Sequence, residues 1–427
     1  MNDLGAPRAI ARTDAERLEA ARASVSADLT RTAALHLESC IRCGRCAEAC
    51  PFFLATGDAR HTPALKIDPL RKLERAERSA AFARTARGAS PITFADLEAW
   101  EPLVYDACTM CGRCTLACPM AIDIASLVGI ARRALFAADL AAPDLAAVAE
   151  RAHREGSPLG VTREKLRERL DWIADEHDVA IPVDTTPADV LLTLSSIEVM
   201  KYPESVAAMA RILARSAMRW TVSTSGYEAT NFGMLAGARD WQREATMKLV
   251  DAAIACGADT VLVPECGHAY SALRWQGAAM AGRELPFRVL HVSEFIVQCL
   301  AQGRIHVRLA SGDAAFHDPC QVSRRGGATG APRAVLDALG IEERPVEAGG
   351  DLGGCCGGGG GVSANRRADA LRHATTRMRL RELQAAGAER VLTSCANCRQ
   401  TFDDSAAHDR EGPRVGSLVE LVARQLA

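Results

Sequence analysis

The chain has 427 residues, 51 basic against 53 acidic side chains, a pI near 6.6 and only 4% aromatic residues. This balance gives no support to a nucleic-acid partner or an anionic membrane surface, and the length suffices for two or three cored domains. The start lacks the apolar stretch of a secretory signal, and Asp3, Asp14, Glu16 and Glu19 dilute its arginines. A cytoplasmic chain is therefore expected, and with no apolar run of spanning length, any membrane association would come through a partner subunit.

Residues 1–39 read as a short helical arm. The next segment, 40–127, holds eight of the sixteen cysteines, a density that in a cytoplasmic chain points to metal ligation or redox chemistry rather than disulfides. Cys40-x2-Cys43-x2-Cys46-x3-Cys50-Pro51 is repeated with identical spacing as Cys108-x2-Cys111-x2-Cys114-x3-Cys118-Pro119. This is the bacterial ferredoxin spacing, in which three close thiolates wrap one face of a cubane [4Fe-4S] cluster and the fourth reaches the cluster of the other motif. One cluster is then expected on Cys40, Cys43, Cys46 and Cys118, the other on Cys108, Cys111, Cys114 and Cys50. Structural zinc is the competing reading, but zinc does not require a fourth cysteine followed by proline, twice over. Gly44 and Gly112 allow close backbone approach, and Ile41, Leu116, Met120 and Ile122 are expected to exclude water. The insert 51–107 carries Arg71, Lys72, Arg75, Arg78, Arg84 and Arg87, read as a solvated helix face in preference to a docking surface for an acidic donor protein.

Residues 128–185 read as a helical connector, with apolar positions at helical spacing through Leu145, Val148, Leu166, Leu170 and Ile173, ending near Pro182 and Pro187. Beyond them short β-rich runs, Val190–Leu194, Val261–Val263, Ala314–Phe316 and Val391–Thr393, alternate with the helical stretches Ser205–Arg215, Thr246–Cys256 and Asp369–Ala385, which predicts α/β layers. The segment Ala255-Cys256-Gly257-Ala258-Asp259-Thr260-Val261-Leu262 is echoed by Ala385-Ala386-Gly387-Ala388-Glu389-Arg390-Val391-Leu392, and Ser293–Leu300 by Ser417–Leu426. An internal duplication is therefore expected, with copies at 186–305 and 306–427.

Cys320 is followed after 34 residues by Cys355-Cys356 and after 38 more by Cys395-x2-Cys398. Adjacent cysteines serve one centre only if the backbone turns sharply beside them, and Gly353, Gly354 and Gly357–Gly361 permit that. A disulfide or a glycine-rich linker would explain neither Cys320 nor the Cys395/Cys398 pair, each directly after a predicted strand, so a metal site is expected.

His317-Asp318-Pro319-Cys320, Cys355-Cys356-Gly357 and Ser394-Cys395-Ala396-Asn397-Cys398 resemble the CCG domain of heterodisulfide reductase catalytic subunits. Ferredoxin motifs joined to two such domains resemble the D subunit of heterodisulfide reductase, the K subunit of the sulfite-reductase-associated membrane complex and the iron-sulfur subunit of glycolate oxidase. The resemblance implies a noncubane [4Fe-4S] cluster on Cys320, Cys355, Cys356, Cys395 and Cys398, at which disulfides are cleaved. The first copy departs from the pattern. Ser195 and Ser196 stand near the expected first cysteine, Thr224-Ser225-Gly226 in place of Cys-Cys-Gly, and Cys266-Gly267-His268-Ala269 in place of Cys-x2-Cys, too few ligands for a second such cluster. This degeneracy is most similar to the K subunit.

The expected architecture is thus α+α/β: an N-terminal helical double-cluster ferredoxin domain followed by two duplicated α/β CCG domains. The resemblance implies an iron-sulfur oxidoreductase subunit passing electrons through two clusters to a C-terminal one that reduces or forms a disulfide-type sulfur bond. The alternative is a non-catalytic electron-transfer subunit of a flavin-dependent dehydrogenase such as glycolate oxidase. Cys355 and Cys356 are the candidate catalytic residues, with His268 either donating a proton, from a pKa near neutrality, or serving structure alone. His317 and Asp318 read as strand-closing, Arg324 and Arg325 as solvated, and Cys256 and Cys299 as core. No Gly-x-Gly-x-x-Gly stands at a strand-helix junction, so no flavin is expected on this chain. Expected partners are a flavoprotein or a membrane quinone or cytochrome subunit, with a small sulfur-carrier protein or a thiol/disulfide as substrate and no nucleic acid. Anaerobically purified protein should carry about twelve iron atoms per chain; a zinc content equal to the iron would overturn the ferredoxin assignment.

Overall fold

The computed structural model describes residues 12–82, 92–409 and 412–427, with the side chains of 76–82 excepted. Arg84 and Arg87 of the basic stretch lie outside the described residues, as do residues 1–11 of the arm.

The first part is helical. Thr13 and Glu16 form a capping box that starts helix Asp14–Asp28, which packs on helix Ile124–Ala137. The insert between the cysteine motifs forms helices Asp68–Phe82 and Phe94–Tyr105. Its arginines are not all solvated. Arg71 is buried and donates to the Leu37 carbonyl at 2.9 Å and to Asp68 at 2.7 Å, because its helix packs against helix Arg31–Glu38. Leu70, Leu73, Leu97, Trp100, Val128 and Leu135 share one core with Leu145 and Ala149 of the connector helix Pro143–Glu155.

Two parallel sheets follow. The first has β1 (Val190–Leu192), β2 (Trp220–Thr221), β3 (Thr260–Val263) and β4 (Arg288–His291) in the order β2-β1-β3-β4. The second has β5 (Asp313–His317), β6 (Glu342–Arg344), β7 (Arg390–Thr393) and β8 (Val415–Ser417) in the order β6-β5-β7-β8, the same arrangement. The four predicted strands are the two central ones of each sheet, whose apolar runs are buried on both faces as central parallel strands require. The edge strands β2, β4, β6 and β8 escaped sequence reading because two to four residues of ordinary composition carry no periodicity. Helices Arg239–Cys256 and Asp369–Ala385 lead into β3 and β7, each through a left-handed glycine, Gly257 (φ 74°) and Gly387 (φ 66°). The sheets are not separate globules: Leu192, Leu262, Phe316, Leu392 and Leu418 belong to one continuous core, and helices Pro203–Arg215 and Leu418–Gln425 pack across it.

One buried guanidinium ties the helical part to both sheets. Arg132, fully buried, donates to the carbonyls of Val104 (2.7 Å), Cys108 (2.8 Å), Leu235 (2.8 Å) and Gly360. Removing it would leave these carbonyls without their donor in a site water does not reach, at a cost of about 1–3 kcal/mol for each unsatisfied group. Arg132→Met is expected to destabilise the chain by on the order of 4 kcal/mol or more; a denaturant midpoint equal to the parent's would contradict this account.

Candidate functional site

Each ferredoxin loop is curled by two left-handed residues at matching positions, Arg42 (φ 54°) with Gly44 (φ 80°) and Met110 (φ 55°) with Gly112 (φ 74°). The three close cysteines are thereby turned inward, while the fourth, held by the helix starting at Pro51 or by the turn at Pro119, leaves its own loop. Cys40, Cys43, Cys46 and Cys118 line one cavity. Cys50, Cys108, Cys111 and Cys114 line another. Four converging thiols in each place suit a [4Fe-4S] cluster, and the second set has a charge partner that sequence reasoning missed. Lys66 is buried with its Nζ 3.6 Å from Cys50 Sγ and bonded to the Ala107 carbonyl. Burial works against its charge, yet Cys50, Cys108 and Cys114 prevail and raise its pKa above the ordinary lysine value. A single lysine in a basic insert gave no signal for this role.

The two sets differ in exposure. Cys43 is exposed, and Ile41, Leu116 and Met120 are 68%, 48% and 48% exposed. Of the four residues expected to exclude water only Ile122 is buried; Ile41 of the first loop and Leu116 and Met120 on either side of Cys118 face outward as a rim.

The third thiol set stands at the carboxyl ends of β5 and β7, beside which the strand order reverses direction, the usual place for a ligand in such a sheet. Cys320 follows β5, Cys395 precedes helix Ala396–Asp409, Cys398 lies in that helix's first turn, and Cys355 and Cys356 come from the glycine run. All five are buried. Cys355 packs with Cys320 and Cys111 in one buried cluster, and Cys356 with Cys395 and Cys398 in another. The neighbouring thiols hold those of Cys355 and Cys356 below the ordinary cysteine pKa, and that of Cys398 draws Cys395 down to about 7. His317, the last residue of β5, does more than close the strand. A ring nitrogen lies within 4.8 Å of the thiols of Cys356 and Cys398; Nδ1 accepts from Arg379 Nε at 3.2 Å, and Nε2 is buried with no hydrogen-bond partner among the described residues. Asp318 pairs with Arg333 at 2.6 Å and accepts from the Gly350 amide, holding the glycine run in place.

This third set abuts the second. Besides the Cys111–Cys355 contact, Thr109 Oγ1 is 3.2 Å from Cys355 Sγ. Gly360 (φ 61°) lies so close to the Thr109 backbone that a Cβ would come within 2.7 Å of its carbonyl carbon, so the glycine run admits the ferredoxin loop as well as turning the chain. Arg324 and Arg325 are clamps across this junction rather than solvated side chains. Arg324 donates to the carbonyls of Cys111 (3.1 Å), Asp351 (2.7 Å) and Gly353 (2.6 Å), and Arg325 pairs with Asp123 at 2.9 Å.

Strand register corrects the alignment of the first sheet's site. Val190 pairs with Thr260 as Ala314 pairs with Arg390. In that register Ser196 takes the place of Cys320, and Glu265-x2-His268, not the segment beginning at Cys266, takes the place of Cys395-x2-Cys398. Thr224 is turned away, bonded to Asp184; from this loop it is Thr230 that reaches inward, its Oγ1 3.6 Å from Cys266 Sγ. His268 is half-buried and its Nε2 accepts the Gly360 amide at 3.1 Å, while desolvation and then the charges of Arg132 and Arg325 lower its pKa to about 4. Of the two roles expected for this ring, the engagement of Nε2 by the Gly360 amide and the lowered pKa favour the hydrogen-bonded structural one over proton donation. Cys256 and Cys299 are core, as expected.

A 4Fe-4S dicluster domain model matches residues 36–122 and a cysteine-rich domain model, CCG, matches 314–403. The chain is 26% identical to the D subunit of the dihydromethanophenazine:CoB–CoM heterodisulfide reductase of Methanosarcina mazei, over 93% of this chain and 96% of that one. It is 25% identical to the Hdr-like menaquinol oxidoreductase iron-sulfur subunit 2 of Archaeoglobus fulgidus, over 93% of this chain and 80% of that one. A "Probable membrane-anchored ferredoxin" of Chromohalobacter salexigens is 28% identical over 94% of this chain, which spans only 61% of that protein.

Cys50→Ser should perturb the spectroscopic signature of the cluster on Cys108, Cys111 and Cys114 and spare that of its own sequence neighbours. A signal change confined to the Cys40, Cys43 and Cys46 centre would contradict the crossed grouping.

Proposed function

We propose that this homologue of heterodisulfide reductase D subunits and of Hdr-like iron-sulfur subunits is the subunit of a redox complex in which electrons from a partner reach a buried sulfur-reaction site. The domains proposed are 1–39, 40–127, 128–185, 186–305 and 306–427, the last two being copies of one α/β unit, the second intact and the first degenerate. The same strand order in both sheets supports the duplication. Two cubane [4Fe-4S] clusters would rest on the crossed ferredoxin sets, and one further [4Fe-4S] cluster, of noncubane type, on Cys320, Cys355, Cys356, Cys395 and Cys398. When bound, these groups supply one-electron carriage and, at the last site, iron open to a sulfur ligand.

The observation that carries the reading is the contact of Cys111 with Cys355. It orders the three thiol sets from the surface at Cys43, through the buried set beside Lys66, to the interior, the order in which an entering electron would meet them. Reduction of a disulfide needs two electrons, and two one-electron stations upstream suit that need. Ile41, Leu116 and Met120 supply an exposed apolar rim at the point of entry, flanked by the exposed Arg42 and Arg45. The proposed partner is a flavoprotein or a membrane quinone or cytochrome subunit; among the described residues no helix is long and apolar enough to cross a membrane, so association with a membrane would go through that partner. Within the site, the His317 ring, fixed by Arg379, stands within 4.8 Å of the Cys356 and Cys398 thiols, while Thr109 and the Gly357 amide, 3.4 Å from Cys355 Sγ, would stabilise a Cys355 thiolate.

Cys355→Ser or Cys356→Ser should abolish disulfide reduction while dithionite still reduces both N-terminal clusters. Full turnover in these variants would replace the reading with that of a conducting subunit for a flavin-dependent dehydrogenase. Leu116→Glu, in the rim but outside the cavity of the outer thiol set, should slow reduction by a partner complex about tenfold or more and leave reduction by dithionite unchanged, since a charge in the rim of an interface acts chiefly on association.

A further inference from the structure

The polar groups that replace cysteines in the first α/β unit enclose a space rather than filling it. Ser195, Thr230, Glu265, Cys266 and His268 line one side of a cavity whose other side is Cys395 and Asn397. Glu265 is 2% exposed, and its Oε1 has no hydrogen-bond partner among the described residues. Its backbone amide donates to Glu198 at 3.1 Å, and Glu198 in turn accepts from the amide and hydroxyl of Ser195 at 2.9 and 2.7 Å. Glu228 accepts from the amide and hydroxyl of Ser196 and, at 2.9 Å, from the Thr230 amide. It also lines a second cavity of about 190 Å³, which opens among His153, Arg163 and Lys248. Thr230 and Phe232 are walls of both cavities. Glu228, Thr230 and Glu265 thus stand in series from the outer cavity to the cavity beside Cys395, with Thr230 the polar wall that the two cavities share.

We propose that this series delivers the protons of the sulfur reaction, with Glu265 the group that releases them into the cavity beside Cys395. The inference rests on the sulfur-reaction reading and deepens it. Reduction proceeds as RS–SR′ + 2e⁻ + 2H⁺ → RSH + R′SH: the S–S bond breaks, two S–H bonds form, the electrons come from the redox partner and the protons from solvent by way of Glu228. His268, neutral and accepting a hydrogen bond, does not meet that need. The surroundings raise the pKa of each of these carboxyls. Burial first, then the facing Glu420 and Glu198, raise Glu265, against the opposing pull of Ser417 and Arg399, whose charge is already shared with Glu420 at 2.6 Å. Burial likewise raises Glu228 and brings Glu198 to about 7.

The test uses the full chain with its clusters, reduced methyl viologen as donor and 2-hydroxyethyl disulfide as acceptor. Glu265→Gln preserves shape and removes the acid; turnover is expected to fall roughly 10²–10⁴-fold, with iron content and dithionite reduction unchanged and with Glu265→Asp restoring part of the rate. Independently of turnover, the redox-difference infrared spectrum of the parent should contain a protonated-carboxyl band that Glu265→Gln removes. Should Glu265→Gln not fold, Glu228→Gln is expected to lower turnover and increase its solvent isotope effect. Parent-like turnover with an unchanged carboxyl band in Glu265→Gln, or parent-like turnover and isotope effect in Glu228→Gln, overturns the proton route. Loss of turnover in Cys356→Ser beside a fully active Glu265→Gln would sink this route alone, whereas turnover surviving in Cys356→Ser would sink the sulfur-reaction reading itself.

Discussion

The Arg132 guanidinium lies where the helical part and both α/β units meet, and its bonds to Val104, Cys108, Leu235 and Gly360 leave each of those backbones little room to move independently. A buried cation is stable only if its protons are taken up, and here backbone carbonyls from separate segments take them. Tyr105 reinforces the arrangement, its hydroxyl bonding to the Arg132 and Ala236 carbonyls at 3.1 and 2.6 Å. Since Cys108 opens the second ferredoxin motif and Gly360 lies in the glycine run after Cys355 and Cys356, this one side chain, with Arg324 and Thr109 at the same junction, fixes how two thiol sets approach each other.

Charge balance follows the same economy of position. Lys66 sits among the thiols of the middle set, and Arg324 bonds the carbonyls on either side of the junction with the inner one. The outer set has no comparable buried cation among the described residues and lies under an exposed apolar rim. A partner that covered this rim would remove water from the outermost thiols, so docking and the local dielectric would be coupled there.

The two sheets share one strand order but bring unlike side chains to their carboxyl ends. Their carboxyl ends face one another across a shared core, and the Ala396 amide donates to the Glu265 carbonyl at 2.7 Å, so residues of one unit form the wall of the other's site. Cys395 stands on one side of this enclosure and Ser195, Thr230, Glu265 and His268 on the other.

The cysteine spacing determined by itself that two crossed sets of four thiols would form, because a short loop with left-handed turns has few ways to point three sulfurs inward. The central strands and the matching of their segments were legible for a similar reason, since buried parallel strands write continuous apolar runs into the chain. What only the tertiary structure decided was adjacency between distant segments. Lys66 beside Cys50, His317 facing Cys356, Arg324 spanning a junction and Cys111 touching Cys355 arise from how separately coded elements pack, and no local periodicity records that. Linear reading matched Cys266 to Cys395 because both are cysteines after a strand, although the match of Ala255–Leu262 with Ala385–Leu392, carried forward, already puts Glu265 and His268 in the ligand positions, as the strand pairing does. The pKa of His268, by contrast, was decided by the packing, because desolvation and two arginines from other segments, rather than the imidazole itself, set its charge.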